Sequence, residues 1–430
     1  MGNIETGRIS PRIMFLCNFS NAMVREKIKL GGGIVRSLFY RLIRKKPHYE
    51  TDYAIWVTDY IEEFEKHPEY DFHVVAPMQG LKDEFQMFEV RGIKYHFYNC
   101  SFGLMKSIAN VAVNWEERRD YPIIRQRISK IRKQINPDMM ILCGAENPFY
   151  SIGALDVTEC PVYVILQTLL NCPKRIEMGI GTPYKRKIEL EIFRHAQYFS
   201  TSEEESIKII KKTNYNARIL SAGFPSHRPV VVEPKEKEYD FVLFAKTVAK
   251  YKGVEDALKA LSIVKEKYSE VSLNIIGGIT DEYQNELARI IDELGLKENV
   301  NFAGQYKELK ETFENVVKAK ACLLPGLTGA FNSTIRESML IGMPTICYQL
   351  SATDIINKEE KCLFAATMGD VSELSKMMLL VFEQPEVVKR VADNGKKYAD
   401  SHFGNEVIVN KLLNNCNNII KGAIVDDEYK

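Results

Sequence analysis

Short apolar runs alternate with amphipathic helical stretches along this chain, and the rhythm breaks once, at a proline-rich charged segment, before starting again. Alternation of this kind is the pattern of parallel α/β sheets, so the chain is expected to hold two of them. In the first half the strand-like runs are 12–17, 71–76, 93–98, 138–143, 162–166, 198–201 and 218–221, with helical periodicity over 53–64, 121–134, 184–193 and 204–211. The break at 223–238 carries Pro225, Pro229 and Pro234 with Lys235 and Lys237, and reads as a linker. The second half predicts strands at 241–244, 271–276, 300–302, 321–324 and 345–348, with a short one at 362–364. Helical patterns cover 254–267, 281–294, 309–318, 333–341, 371–382 and 385–401, and a last amphipathic helix covers 405–420. The expected organisation is a first domain at 1–222, a linker at 223–238, a second domain at 239–401 and a C-terminal helix and tail at 402–430.

At 430 residues, 45% hydrophobic and 27% charged, the chain has the composition of a soluble globular protein. A net charge of +1 supplies no global field for nucleic acid, so no nucleic-acid partner is expected. The nine cysteines are an odd number, have no metal-ligand spacing, and read as reduced thiols of a cytoplasmic protein. No apolar leader occupies the first twelve residues and no apolar run reaches membrane-spanning length.

The most informative segment runs from Pro325 to Pro344. It reads as a strand end, a turn of small residues, a helix capped by Asn332 or Ser333, a stop at Gly342, and a new strand after Pro344. An uncrowded turn feeding a helix N-terminus is an anion site, because free N–H groups and the positive end of the helix dipole face the ligand. The amides at Ser333 and Thr334 are candidates for that role. Glu337 lies one turn in, where a carboxylate suits ribose hydroxyls rather than phosphate. Together these residues point to a bound nucleotide diphosphate.

This pattern resembles the donor site of retaining glycosyltransferases of the GT-B fold, in particular glycosyltransferase family 4. Pro325, Phe331, Glu337, Met339, Gly342 and Pro344 fall in register with the family's motif, while Gly329 stands where it has a glutamate and Asn332 where it has a glycine. The segment 244–253 is similar to the family's basic element before the first helix of the donor domain, which implies that Lys246 and Lys252 reach the diphosphate and offset the charge of the departing nucleotide. The run 275–278 is similar to the family's glycine turn, which places Gly278 close to the ligand, and 301–306 is similar to the turn that reads the base, with Gln305 and Tyr306 in that place. The loop 351–356 lies where the family presents further backbone N–H groups, with Asp354 for a glutamate. The resemblance implies an α/β protein with two Rossmann-like domains facing each other across a cleft and a C-terminal helix crossing back to the first. It also implies transfer of a sugar, with retention, from a UDP- or GDP-linked donor to a glycan or lipid-linked glycan acceptor in cell-surface polysaccharide synthesis, without a separate cofactor.

In the first half, Glu146 ends a strand within Cys143-Gly-Ala-Glu-Asn-Pro148 and is the best-placed acid for the acceptor, although a structural turn role for Glu146 and Asn147 accounts for it somewhat better than catalysis. The glycine run 31–33 comes late after its strand and has no dinucleotide fingerprint. Residues 34–46 form a basic amphipathic pattern that suits a membrane surface as well as an ordinary packed helix, and both readings stand. No Asp-x-Asp occurs, so no required metal is expected. Two rival readings remain: a scaffold that keeps the fold without transfer, suggested by Gly329, and a sugar-nucleotide epimerase.

Overall fold

The computed structural model describes residues 10–31, 54–101, 115–220, 222–223, 225, 236–328 and 332–423. The basic segment 34–46, Gly329, Phe331 and most of the expected linker lie outside the described residues. The chain forms two compact units, one of residues 1–225 with 408–430 and the other of residues 226–407.

The first unit is built on eight strands: β1 Arg12–Cys17, β2 Asp71–Met78, β3 Phe85–Val90, β4 Ile93–Asn99, β5 Met139–Cys143, β6 Val162–Ile165, β7 Tyr198–Ser200 and β8 Arg218–Ile219. Their order is β3-β4-β2-β1-β5-β6-β7-β8. All pairs are parallel except β3 with β4. Strand β3 is absent from the sequence reading. Its hairpin turns on Arg91 and Gly92, both at positive φ (48° and 80°), and an arginine at the first of these positions is not a usual turn signal. The sheet is buried on both faces. Ile13, Phe15 and Cys17 of β1 enter one cluster, and Met14 and Leu16 enter the other. The first cluster is completed from the far end of the sequence, since the helix Asn405–Ile420 contributes Ile408, Val409, Leu412, Leu413, Cys416 and Ile419. Asn415 fixes that helix by donating to the Tyr163 hydroxyl (3.1 Å) and to the Leu220 carbonyl (3.3 Å).

The second unit holds six parallel strands: β9 Tyr239–Thr247, β10 Leu273–Gly278, β11 Val300–Gly304, β12 Ala319–Leu324, β13 Thr345–Tyr348 and β14 Phe364–Ala366. The order β11-β10-β9-β12-β13-β14 means that connections leave β9 toward one edge and β12 toward the other. The strand order therefore reverses between β9 and β12, and the loops at their carboxyl ends flank the crevice in which open α/β sheets bind ligands. In the first unit the equivalent reversal lies between β1 and β5. All nine cysteines are free and seven are buried. Among the described residues no helix is long and apolar enough to cross a membrane.

Candidate functional site

At the reversal point of the second unit, the loops after β9 and β12 are locked together through their backbones. After β9 the chain makes a single 3-10 turn, Lys250–Lys252, and enters the helix Val254–Lys265 through Gly253 at φ 73°. A Cβ at residue 253 would lie 1.8 Å from the Pro325 carbonyl oxygen, so both the left-handed conformation and the close approach demand glycine. Beside this contact the Leu327 N–H donates to the Tyr251 carbonyl at 2.9 Å. Gly326 keeps the space next to the Asn332 side-chain amide, which a Cβ there would meet at 3.3 Å.

Asn332 caps the helix Ser333–Leu340, its side-chain oxygen accepting from the Ile335 N–H (3.2 Å) and from the Thr334 hydroxyl. The cap satisfies the third amide of the helix, while the amides of Ser333 and Thr334 have no acceptor within the helix, as helix geometry requires of its first turn. Glu337, half-buried one turn on, acts electrostatically on Lys252. The Lys252 ammonium sits 5.4 Å from the Tyr251 ring centroid. Burial lowers its pKa below the usual lysine value, and the Glu337 carboxylate works in the opposite direction. A cation, a carboxylate and two helix-end amides thus share one crevice. The carboxylate makes the site selective, because a bare polyanion would be repelled by it, whereas a phosphate joined to a hydroxylated group can use every element.

A second group forms where β9, β10 and β11 end. Gly277, at φ 142°, lies so close to Ala245 that a Cβ would be 1.9 Å from the Ala245 carbonyl oxygen, and the Val248 N–H donates to the Gly278 carbonyl at 2.7 Å. The Gln305 side-chain oxygen lies over Gly278, 2.8 Å from where a Cβ would be, and the Lys246 carbonyl oxygen is 3.3 Å from the same point. Lys246 is exposed near the end of β9, and Tyr306 packs against the core on one face of the sheet. The fold therefore gathers Lys252, Asn332, Ser333, Thr334 and Glu337 in one group, and Lys246, Gly278 and Gln305 in the next. The junction of Tyr251 and Gly253 with Pro325 and Leu327 has no sign in the sequence. A Lys-Gly pair ahead of a helix marks the turn but not its partner.

Residues 351–356, expected as a loop, form the helix Ser351–Ile356, and the Leu350 N–H ahead of it donates to the Thr353 hydroxyl oxygen at 2.9 Å. Asp354 accepts from the Gln349 amide at 2.9 Å. Thr353 closes the start of this short helix, and the amides of Ser351 and Ala352 in its first turn have no acceptor within the helix.

Glu146 belongs to the first unit, at the carboxyl end of β5. Its carboxyl group is folded back over Gly144, where a Cβ would meet both oxygens at 2.7 Å, and Gly144 adopts φ 92°. Tyr150 contacts the Cys143 carbonyl at 3.0 Å and Glu146 Oε1 at 3.3 Å, and Oε2 is buried without a hydrogen-bond partner. Burial raises the Glu146 pKa to about 7, and the nearby Glu189 carboxylate adds to the rise. The tyrosine has a single proton for these two acceptors, and its donation to Glu146 favours the carboxylate against the larger effect of burial. Asn147 caps the following turn by accepting from the Phe149 N–H at 3.2 Å.

This architecture has known relatives. Residues 230–398 match the family model of glycosyl transferases group 1. The uncharacterised glycosyltransferase of Haemophilus influenzae is 22% identical over 187 residues, which are 42% of this chain and 51% of that protein, so the chain spans about half of that relative's length. Sucrose-phosphate synthase from Thermosynechococcus elongatus superposes with a TM-score of 0.67 at 11% identity, covering 96% of this chain and all of that one. The Anabaena protein HepE, in complex with UDP and glucose, superposes with a TM-score of 0.62 at 13% identity, over 95% of this chain and 99% of that one. The fold is GT-B, and the group 1 match covers the crevice just described.

Proposed function

We propose that the protein is a glycosyltransferase that takes its donor, a nucleotide-diphosphate sugar, in the second unit and transfers the sugar with retention to a glycan or lipid-linked glycan. The observation that carries this reading is the group at the β9–β12 reversal, with Lys252 and Glu337 in electrostatic contact beside the amino end of a capped helix. Lys252, Lys246 and the amides of Ser333 and Thr334 would take up the charge that grows on the diphosphate as the bond to the sugar breaks. Glu337 would hold the ribose, Gly278 would allow close approach, and Gln305 and Tyr306 would meet the base. Gly329, where relatives of this type carry a glutamate for the sugar, would shape donor specificity. Same-face attack requires no protein nucleophile: the acceptor oxygen bonds to the anomeric carbon, the leaving phosphate keeps the electron pair, and the acceptor proton passes to it. Glu146 is assigned to the acceptor side. The ligand of HepE favours UDP as the nucleotide, and the match to group 1 glycosyl transferases favours transfer over epimerisation. Cytoplasmic polysaccharide assembly is the setting that fits.

The test is calorimetric titration with UDP and GDP, followed by turnover of the Lys252→Ala variant. The expected result is binding of one nucleotide, and a loss of about 100-fold in kcat with a smaller change in donor affinity, since a cation facing a charge that develops during reaction acts mainly on the transition state. Equal losses in both would remove that role. Retained binding with no transfer to any acceptor would favour the scaffold reading.

A further inference from the structure

The single turn Lys250–Lys252 holds two lysines with different surroundings. Lys250 is exposed, and its ammonium lies 3.3 Å from the Glu255 carboxylate and 3.6 Å from that of Glu286, so its charge is met by the two helices that follow β9 and β10. Lys252 makes no ion pair among the described residues. It is half-buried, burial lowers its pKa, and Glu337 is the charge that works the other way. What its ammonium faces is the ring of Tyr251, 5.4 Å from the centroid. The same pairing of neighbours occurs at Lys267 and Tyr268, at 5.7 Å, but there the lysine is exposed and bonded to Glu383, and an aromatic face adds little to a solvated, paired cation.

The backbone under this ring is fixed. The Tyr251 carbonyl accepts from the Leu327 N–H, the Lys252 N–H donates to the Ala249 carbonyl at 2.8 Å, and the Gly253 N–H donates to the Lys250 carbonyl at 3.0 Å. Tyr251 is thereby pinned to the loop after β12, whereas the lysine side chain is a point charge on a flexible stem of four carbons. Such a charge keeps one place only if something rigid beside it favours that place. The half-buried aromatic face of Tyr251 is rigid and within reach, and a face of this kind attracts a cation most strongly where water is displaced. Without the ring, Glu337 is the pull that remains, and an ammonium closed onto that carboxylate would present little net charge to an anion.

We infer that Tyr251 is a positioning residue, whose ring seats the Lys252 ammonium apart from Glu337 so that it meets the distal phosphate of a nucleoside diphosphate. The inference rests on the nucleotide reading of the β9–β12 crevice. The ring acts through Lys252 and takes no part in the chemistry itself. When the bond to the sugar breaks, charge grows on the phosphate that carried the sugar, and this is the phosphate a monophosphate lacks. A seated ammonium therefore favours a diphosphate over the corresponding monophosphate, and a wandering one does not.

The full chain is given isotope-labelled methyl groups on its lysines by reductive methylation, which keeps their charge, and the Lys252 resonance is identified by its loss in Lys252→Arg. In the wild type and in Tyr251→Phe that resonance is expected to be displaced upfield by the ring, and to titrate at a higher pH than in Tyr251→Leu, because the aromatic face favours the charged form. Calorimetry on unlabelled protein uses UDP, UMP, GDP and GMP. Tyr251→Leu is expected to lose about tenfold in affinity for the diphosphate that binds, with the matching monophosphate changed by less than about twofold, and Tyr251→Phe to recover the diphosphate. A crevice merely disordered by the substitution would lose both nucleotides alike, and unchanged melting of Tyr251→Leu shows that the second unit is folded. The inference is overturned if the Lys252 resonance is the same in Tyr251→Leu as in the wild type, or if that variant keeps the wild-type preference for diphosphate over monophosphate. Absence of heat with all four nucleotides would instead overturn the nucleotide reading, and this inference with it.

Discussion

Replacing Gly253 with alanine tests whether the crevice depends on the junction between the loops after β9 and β12. A Cβ there would sit 1.8 Å from the Pro325 carbonyl oxygen, against a floor of 3.0 Å for real Cβ contacts, so the loops must part by at least 1.2 Å, the difference of the two. The adjoining bond from the Leu327 N–H to the Tyr251 carbonyl is 2.9 Å long, and opening it by that amount breaks it. Holding alanine in the left-handed region costs about 1–2 kcal/mol, and the lost hydrogen bond adds about 1 kcal/mol before packing is counted. The internal control is Gly295→Ala. Gly295 has nearly the same conformation, φ 65°, with nothing within 4 Å of its would-be Cβ, so it carries the conformational cost alone. In thermal melting, Gly253→Ala is expected to lower the transition of the second unit by about 6–10 °C and Gly295→Ala by about 3–5 °C, using the usual scaling for a domain of this size. In calorimetry, Gly253→Ala should weaken nucleotide binding at least about tenfold and Gly295→Ala should leave it unchanged, because only the first moves Lys252 relative to the helix at Ser333. Equal melting shifts, or a nucleotide affinity indifferent to Gly253→Ala, would refute the reasoning.

Two further outcomes follow from the geometry. Because burial raises the Glu146 pKa to about 7 from 4.5, the folded chain keeps a proton that the unfolded chain loses between those values. The stability linked to this group is therefore full below about pH 4.5 and falls as pH rises through about 7, by up to roughly 3 kcal/mol. Glu146→Gln, which cannot titrate and whose side-chain oxygen can still accept from Tyr150, should remove that slope, so urea melts at pH 5 and pH 8 should show the variant gaining on the wild type only at the higher pH, and a constant offset would exclude this account. Asn332→Ala deletes the cap on the Ile335 amide and should cost about 1 kcal/mol while turning the helix end away from its anion; a melt shifted with nucleotide affinity intact would separate the cap from the site.

Strand and helix boundaries were legible wherever burial follows the local pattern. Arg12–Cys17, Thr345–Tyr348 and Asn405–Ile420 begin and end where the apolar periodicity does. Strand β9 runs further than its apolar centre, from Tyr239 to Thr247, because backbone pairing continues past the buried residues; Thr247 still pairs with Gly278. Strand β3 escaped notice because only one of its faces is sheltered and its turn is built on an arginine. At the crevice, the types and order of residues from Pro325 to Pro344 were enough to nominate Asn332, Ser333, Thr334 and Glu337. The contact of Gly253 with Pro325 was not readable, since proximity between two loops on neighbouring strands depends on strand order, which local patterns do not encode. Glu146 was legible as an acid at a strand end but not as a buried one, because the Tyr150 and Gly144 that enclose it give no sequence sign of which way its side chain turns.

That the helix Asn405–Ile420 finishes the core of the first unit has a consequence for biosynthesis. On the ribosome, the portion made first lacks one wall of its apolar interior until the helix Asn405–Ile420 emerges, whereas residues 226–407 are contiguous and can settle earlier. A product truncated before Ile408 would leave Phe15, Tyr60 and their neighbours uncovered, so quality-control proteases should clear it even though every residue of the β9–β12 crevice has been translated.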